Sequence, residues 1–387
     1  MFDVIIIGGS FAGMTAALTL IDRVKEMKIA IIEKNDLKNE EKEVDGRSYA
    51  ISAKSLQLFK KIGIYEELQK YCGKISDIKI TDHNSPFFLD FIGSEVDEEE
   101  GQLGQIIENY RIYNALRKKV LNCDNITIYA PNSYEEMEFL DEGVKVILND
   151  QKVLESKLVL ACDGRFSEIR KRYHIHTAVK NYHQKAITFA IKHEKKHENV
   201  AYEKFLPGGP LAILPFKDQN ESSIVWICKD ELGEAIFELD EENFKDQLLK
   251  KMENCLGDVE VISEKFMYPL IMVEAEKFYH EKLLLIGDAS CGVHPIAGQG
   301  FNLAIVNIEI LADLIVQGGD LGDESLILEF NKKARIEARK MLVATDVLNS
   351  IFETKSSVVS VARDIGLGVI NKLPKLKKIF IKSAGGF

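Results

Sequence analysis

The sequence predicts an α/β protein in which a mostly parallel, nucleotide-binding type of sheet is interrupted by an inserted antiparallel domain and followed by a helical tail. Three observations carry this. A β-branched run, "DVIII" at 3–7, opens onto "GGSFAG" and an Ala/Leu-rich helical stretch, and "KIAIIEK" at 28–34 completes a β-loop-α-β unit. A second strand–loop–helix, "KLLLIGDASCGVHPIAGQGFNLA", appears only at 282–304. Between them, residues 176–270 are strand-dominated, with "QKAITFAIKHE", "VAYEKFL", "LAILPF" and "SSIVWIC".

The bounds agree. At 387 residues the chain is long enough for two closely packed domains, and 46% apolar with 29% charged residues is ordinary globular composition. Fifty Lys and Arg against 61 Asp and Glu give a net charge of −11, which excludes nucleic acid as a partner for the surface as a whole. The six cysteines are scattered without a C-x-x-C or metal-like spacing, so a reducing compartment and no metal site are expected. "MFDVIIIGG" lacks the basic leader of an export signal, and no stretch approaches the roughly 20 apolar residues of a membrane span. A cytoplasmic protein is expected.

Taken in order, "SFAGMTAALTLIDRV" is read as a helix and 48–68 as another that ends near Gly63. Residues 75–92 alternate like antiparallel strands, and the acidic run 94–101 is read as a solvated loop. A helix is expected over 109–120, with strands at 126–129, 144–148 and 157–161. A single helix, "EENFKDQLLKKME", interrupts the strand-rich region. A strand over 282–290 and a long helix over 299–316 follow, and 323–387 is expected to be mainly helical.

The chemistry sits at three turns. In "GGSFAG", Gly8 and Gly13 match the first and third glycines of the G-x-G-x-x-G dinucleotide fingerprint, and Ser10 replaces the second. Ser10, Phe11 and Ala12 open a helix whose free N–H groups and positive dipole end suit a pyrophosphate. Glu33, twenty residues after Gly13 and next to Lys34, is placed to accept hydrogen bonds from the adenosine ribose. The second turn, Asp163-Gly164-Arg165, puts a carboxylate and a cation at a strand's carboxyl edge, though read alone it is as readily a turn with an Asp–Arg pair. The third turn delivers Gly287 and Asp288, then a loop shaped by Pro295, Gly298 and Gly300, with Gln299 and Asn302 in the helix that follows. A helix N-terminus there would favour negative charge near N1 of a reduced flavin, with Asp288 on the ribityl chain. FAD is long enough to need both distant loops.

"DVIIIGGSFAG", "ACDGR" and "GDASCGVHPIAGQGFNLA", in this order, resemble the FAD-dependent aromatic monooxygenases of p-hydroxybenzoate-hydroxylase fold. More narrowly, "DGRSYAIS", "LGQIIEN", "YHQKAI", "EKFLPGGPLAILPF", "SSIVW", "YPL" and "HPIAGQGFNLA" resemble the ubiquinone-biosynthesis hydroxylases over nearly the whole chain. Ser10 and "DASC", where that family often has "DAAH", are departures.

The resemblance implies a Rossmann-type FAD-binding domain from 1–75, 101–175 and 271–322, an antiparallel substrate domain from 76–100 and 176–270, and a helical region at 323–387. It implies that FAD is reduced by NAD(P)H and that O2 and the reduced flavin hydroxylate a polyprenylated phenol. By the same resemblance Arg47 lies near the flavin and Arg111 reaches its phosphates, with Asn109 as the alternative equivalent. Asp163 and Arg165 serve FAD and transient nicotinamide binding. No catalytic side chain is assigned, because the cofactor carries the chemistry; His294 is read as a packed loop histidine rather than a base. Lys372, Lys375, Lys377, Lys378 and Lys382, set among apolar residues in the tail, suggest contact with anionic lipid at the inner face of the membrane. Packing of that segment on its own body or on a partner subunit fits equally well. A ubiquinone-biosynthesis complex is a further expected partner. The alternatives are a same-fold polyprenyl reductase that consumes no O2, and a non-catalytic scaffold.

Overall fold

The structure, a computed structural model, describes residues 1–39, 42, 46–82, 88–95, 101–206, 208–293 and 299–353. In chain order the elements are β1 (Phe2–Ile7), α1 (Phe11–Arg23), β2 (Ile29–Ile32), β3 (Ser48–Ser52), α2 (Ala53–Lys61), α3 (Tyr65–Leu68), β4 (Gly73–Ile75), β5 (Asp77–Asp82), β6 (Phe88–Ile92), β7 (Gly104–Glu108) and α4 (Asn109–Leu121). There follow β8 (Ile126–Tyr129), β9 (Tyr134–Leu140), β10 (Gly143–Leu148), β11 (Val153–Ala161), α5 (Glu168–Arg172), β12 (Thr177–His193), β13 (Val200–Leu206), β14 (Gly209–Pro215) and β15 (Glu221–Lys229). The chain continues through α6 (Asp230–Phe237), α7 (Glu241–Met252), β16 (Val259–Val261), β17 (Phe266–Ala275), β18 (Tyr279–His280), β19 (Leu283–Leu285), β20 (Cys291–Gly292), α8 (Gln299–Val316) and α9 (Glu324–Glu353).

The first sheet has the order β18-β19-β11-β1-β2-β8 and is parallel from β19 to β8. Residues 4–7 of β1 and all of β2 are buried, because strands covered on both faces must be apolar on both. α1, α4, α8 and α9 pack with it around one core. α8 has a mean hydropathy of 1.5 over 18 residues, enough by length and composition to span a membrane. It is 61% buried against α1, β3 and α9, so its apolarity serves the core.

The second sheet runs β20-β17-β12-β15-β14-β13-β5-β6, with β16 beside β12. One face, through Phe189, Ile213 and Trp226, packs on α6 and α7. The other face turns toward the first domain. β17 crosses residue 270 and belongs to this sheet throughout.

Several elements differ from the sequence reading. The helix expected over 48–68 is a strand, β3, followed by two short helices, because Ser48–Ser52 pairs with β7 in a third, three-stranded sheet. Two helices, not one, interrupt the strand-rich region: α6 starts directly at the end of β15, with Asp230 and Glu231 in its first turn. The strand expected over 282–290 ends at Leu285, and Gly287–Ala289 is a 3-10 turn. The tail lysines lie outside the described residues.

Candidate functional site

At the carboxyl end of β1 the backbone N–H of Gly8 donates to the Ile32 carbonyl at 2.9 Å, which extends the β1–β2 ladder one residue into the loop. Gly8 has φ +104, and a Cβ there would lie 2.4 Å from the Cys162 carbonyl oxygen. At Gly13, in the first turn of α1, a Cβ would lie 1.8 Å from the Gly8 carbonyl oxygen. Loop, helix and sheet are therefore fused at van der Waals distance, which only glycine permits.

Ser10 caps α1 by backbone position, with extended dihedrals, and its side chain makes no capping hydrogen bond. The Ser10 side chain thus does not occupy the first-turn N–H groups of α1, which is the condition an anion site needs. Ser10, Phe11 and Ala12 all line the cavity described below.

Glu33 is 8% exposed and makes two backbone contacts that sequence reasoning missed. Its Oε2 accepts from the backbone N–H of Gly9 at 2.7 Å and its Oε1 from Asn35 at 2.9 Å, so it clamps the glycine loop to the end of β2. Two of the roughly four acceptor positions of the carboxylate are used this way. Lys34 is exposed and does not line the cavity.

The other two turns meet. Arg165 donates to Asp288 Oδ2 at 3.1 Å and to the carbonyls of Ile271 and Val293 at 3.2 and 3.4 Å. Arg170, unnoticed in the sequence, is buried and donates to the Ala289 and Arg165 carbonyls at 2.8 and 2.7 Å. The loops at 163–165 and 287–289, more than 120 residues apart, thus become one wall. Gly287 has φ +63 and sits where a Cβ would meet Ala304 and Ala12.

Gly164 and Arg165 line the cavity but Asp163 does not. Its Oδ2 accepts from the Ile169 N–H at 3.2 Å instead, and burial pushes its carboxyl above the ordinary range. Arg111 also lies apart: its guanidinium stacks 3.6 Å over the Tyr71 ring and pairs with Glu108, while Asn109 lines the cavity. Arg47 faces the rings of Phe266 and Tyr268 at 5.2 and 5.8 Å and does line it.

Gln299, Gly300 and Asn302, on the first turn of α8, line the cavity too. Asn302 staples α8 to β3: its Oδ1 accepts from Ser52 N–H at 3.0 Å and its Nδ2 donates to the Ala50 carbonyl at 2.8 Å. Tyr49 packs edge-on to Phe11 and against Phe301, and burial foremost, then the charge of Asp288, drives its phenol far above the ordinary range. Pro295 and Gly298, with His294, lie outside the described residues.

The cavity itself is about 600 Å³ and continuous. It starts at the glycine loop and the Asp288 turn and ends on the inner face of the second sheet, among residues such as Ile80, Ala212 and Val225. The sequence places the substrate pocket in this domain with "GGPLAILPF" in its wall, and Ala212 and Leu214 of that strand do line the cavity. The neighbouring rows Ala201-Glu203-Phe205 and Ser223-Val225-Ile227 were not singled out, although their period of two carries the signal.

These features suit a long dinucleotide. The glycine cradle that a Cβ would fill, the helix start its own side chain leaves uncapped, and a cavity reaching from Ser10–Ala12 to the second sheet fit the pyrophosphate and flavin parts of FAD, while Glu33 lies beside the loop and outside the cavity lining. The comparisons with known proteins agree. Residues 1–345 match the family model described as "FAD binding domain". The chain is 32% identical to ubiquinone hydroxylase UbiL of Rhodospirillum rubrum, covering 99% of this chain and 89% of that protein.

The chain belongs to this FAD-binding family, alongside the ubiquinone hydroxylases.

Ubiquinone hydroxylase UbiM of Neisseria meningitidis is 28% identical over 99% of this chain and 84% of its own length. The crystal structure of p-nitrophenol 4-monooxygenase PnpA from Pseudomonas putida DLL-E4 superposes with a TM-score of 0.77 at 14% identity, covering 99% and 97% of the two chains, and so shares the fold. As in this family of flavoprotein monooxygenases, the cofactor is FAD and the co-substrate NAD(P)H.

Proposed function

We propose that this protein is an FAD-dependent monooxygenase that uses NAD(P)H and O2 to hydroxylate the aromatic ring of a polyprenylated phenol in ubiquinone biosynthesis. The observation that carries the reading is the single cavity that joins the dinucleotide loop to an apolar sheet face. A reaction between flavin and a greasy ring needs both in one water-poor space. FAD, when bound, takes electrons from NAD(P)H and activates O2.

The chain's part is to bind, orient and exclude water. The first turn of α1, with Gly8, Ser10, Phe11, Ala12 and Gly13, would hold the pyrophosphate, and Glu33 would hold both the loop and the ribose. Asp288, positioned by Arg165, would take the ribityl chain, and the α8 start at Gln299 and Gly300, fixed through Asn302, would lie against the ring system. Segments 1–75, 101–175 and 271–322 would form the FAD unit and 76–100 with 176–270 the substrate unit. Pro295 and Gly298 are assigned to the flavin side from sequence alone. The basic tail is proposed to rest on anionic lipid at the inner membrane face, where a polyprenyl substrate dissolves. Lys-to-Glu changes there should abolish binding to anionic vesicles, and unchanged binding refutes that part.

The functional test is a purified, flavin-loaded protein given NAD(P)H with and without a short-chain prenylphenol. Substrate-stimulated uptake of NAD(P)H and O2 together supports the reading. Flavin reduction with a saturated prenyl product, and no substrate-dependent O2 uptake, supports a reductase instead.

A further inference from the structure

The substrate half of the cavity contains one carboxylate among its described residues. Glu203 lies on β13, directly opposite Ile80 of β5 and Ala212 of β14, and the row continues through Val225 to Thr188. Its own strand places Ala201 and Phe205 on the same face. The charged groups of neighbouring strands, Lys79, Lys204 and Asp90, fall on the opposite side by alternation, and Lys204 is paired there with Glu253. The other charged groups of the cavity's described lining are Arg47, Arg165 and Asp288, which with the phenols of Tyr49 and Tyr268 lie at the flavin end. The phenol of Tyr202, beside Glu203 on β13, also borders the cavity, and burial raises it above its ordinary range, so it is neutral where Glu203 titrates. Burial alone, with no charge or hydrogen bond contributing, pushes the Glu203 carboxyl up to about 7.

A carboxyl in such a row is costly unless a ligand uses it. The same face holds two further polar atoms, Thr188 Oγ1 and Ser223 Oγ, buried without a hydrogen-bond partner. An apolar floor with an isolated carboxyl and unspent hydroxyls is complementary to a hydrocarbon ring bearing a polar substituent, not to a plain hydrocarbon.

We propose that Glu203 is the catalytic base that takes the proton of the substrate's ring hydroxyl. The proposal rests on the hydroxylase reading above. As the ring carbon attacks the activated oxygen, the new C–O bond forms, the O–O bond breaks and the hydroxyl proton passes to the Glu203 carboxylate. The dienone that results recovers that proton on its oxygen as the ring C–H proton leaves to water, so aromaticity and the carboxylate both return. The second oxygen atom leaves as water, and its electrons come from NAD(P)H.

The test measures hydroxylation of a prenylphenol against pH in wild type, Glu203→Gln and Glu203→Asp, with bound FAD and Tm reporting that each is folded. Wild type is expected to lose kcat on the acid side as the carboxyl protonates. Glu203→Gln should lose that acid limb and fall by about 10²–10⁴ in kcat, the usual contribution of a positioned base. Glu203→Asp should keep the limb at a lower rate. A binding comparison is independent of turnover: wild type should prefer the phenol to its methyl ether, and Glu203→Leu should not. An unchanged limb with kcat within twofold in Glu203→Gln, or the same preference in Glu203→Leu, overturns the assignment while the hydroxylase reading stands. A wild-type protein that does not hydroxylate overturns the reading, and the base role with it.

Discussion

Replacing Gly13 by Ala tests the nucleotide loop most sharply. The added carbon would sit 1.8 Å from the Gly8 carbonyl oxygen, and real contacts of this kind stay beyond 3.0 Å, so helix and loop must part by about 1.2 Å. Gly8 cannot yield freely, because it is itself pressed against the Cys162 carbonyl and bonded to Ile32. Overpacking of this size costs about 1–3 kcal/mol of stability. Displacing a binding group by about 1 Å costs on the order of 100-fold in its function, here in FAD affinity, or about 2.7 kcal/mol. The assay is titration of apoprotein with FAD by flavin fluorescence, alongside thermal unfolding. Gly233→Ala in α6 is the control, since its Cβ would meet Lys185 and Cys228 only at ordinary distances of 3.4 and 3.5 Å. FAD bound by Gly13→Ala as tightly as by wild type would refute the reasoning.

Other outcomes follow from the same geometry. Glu203→Gln should be more stable than wild type at alkaline pH: the folded carboxyl titrates near 7 against an ordinary 4.5, so wild type loses stability as pH rises between those values. The gap, read by urea unfolding at about pH 4 and pH 8, is at most about 3.4 kcal/mol and is reduced by water in the cavity. Asn302→Ala should cost about 2–4 kcal/mol in thermal unfolding, because Ser52 N–H and Ala50 C=O lose their partner. Asn302→Asp should cost less, as it keeps the acceptor for Ser52. Arg111→Ala should leave FAD affinity within twofold, because its partners are Glu108 and Tyr71, whereas Arg165→Ala, which frees Asp288 and two carbonyls, should weaken FAD at least tenfold.

The first β-loop-α-β unit was legible because local pattern and tertiary demand coincide there: β-branched residues are buried in β1 and β2, and glycines stand where a Cβ cannot. Residues 48–52 were not, since "SYAIS" has no local reason to be a strand; its partner, β7, lies about 55 residues on, and pairing overrode helical spacing. Asp163 looked like a ligand-facing carboxylate, but strand ends fix only the backbone, and its side chain turned to the start of α5. The resemblance offers Arg111 as a phosphate ligand with Asn109 as its alternative; Asn109 lines the cavity, while the ring stack of Arg111 with Tyr71 depends on a contact forty residues away. The substrate face was readable in principle from alternation, yet alternation does not say which of two faces meets a ligand. Only the packing of α6 and α7 on the other side settles that.

The most direct test of the central claim is the fate of oxygen. FAD-loaded protein would be given NAD(P)H and a prenylphenol under isotopically labelled O2, and the product weighed by mass spectrometry against NAD(P)H consumed. The account predicts one labelled oxygen atom in the ring for each NAD(P)H oxidised. Unlabelled product, or O2 returned wholly as hydrogen peroxide while the phenol is unchanged, would contradict it.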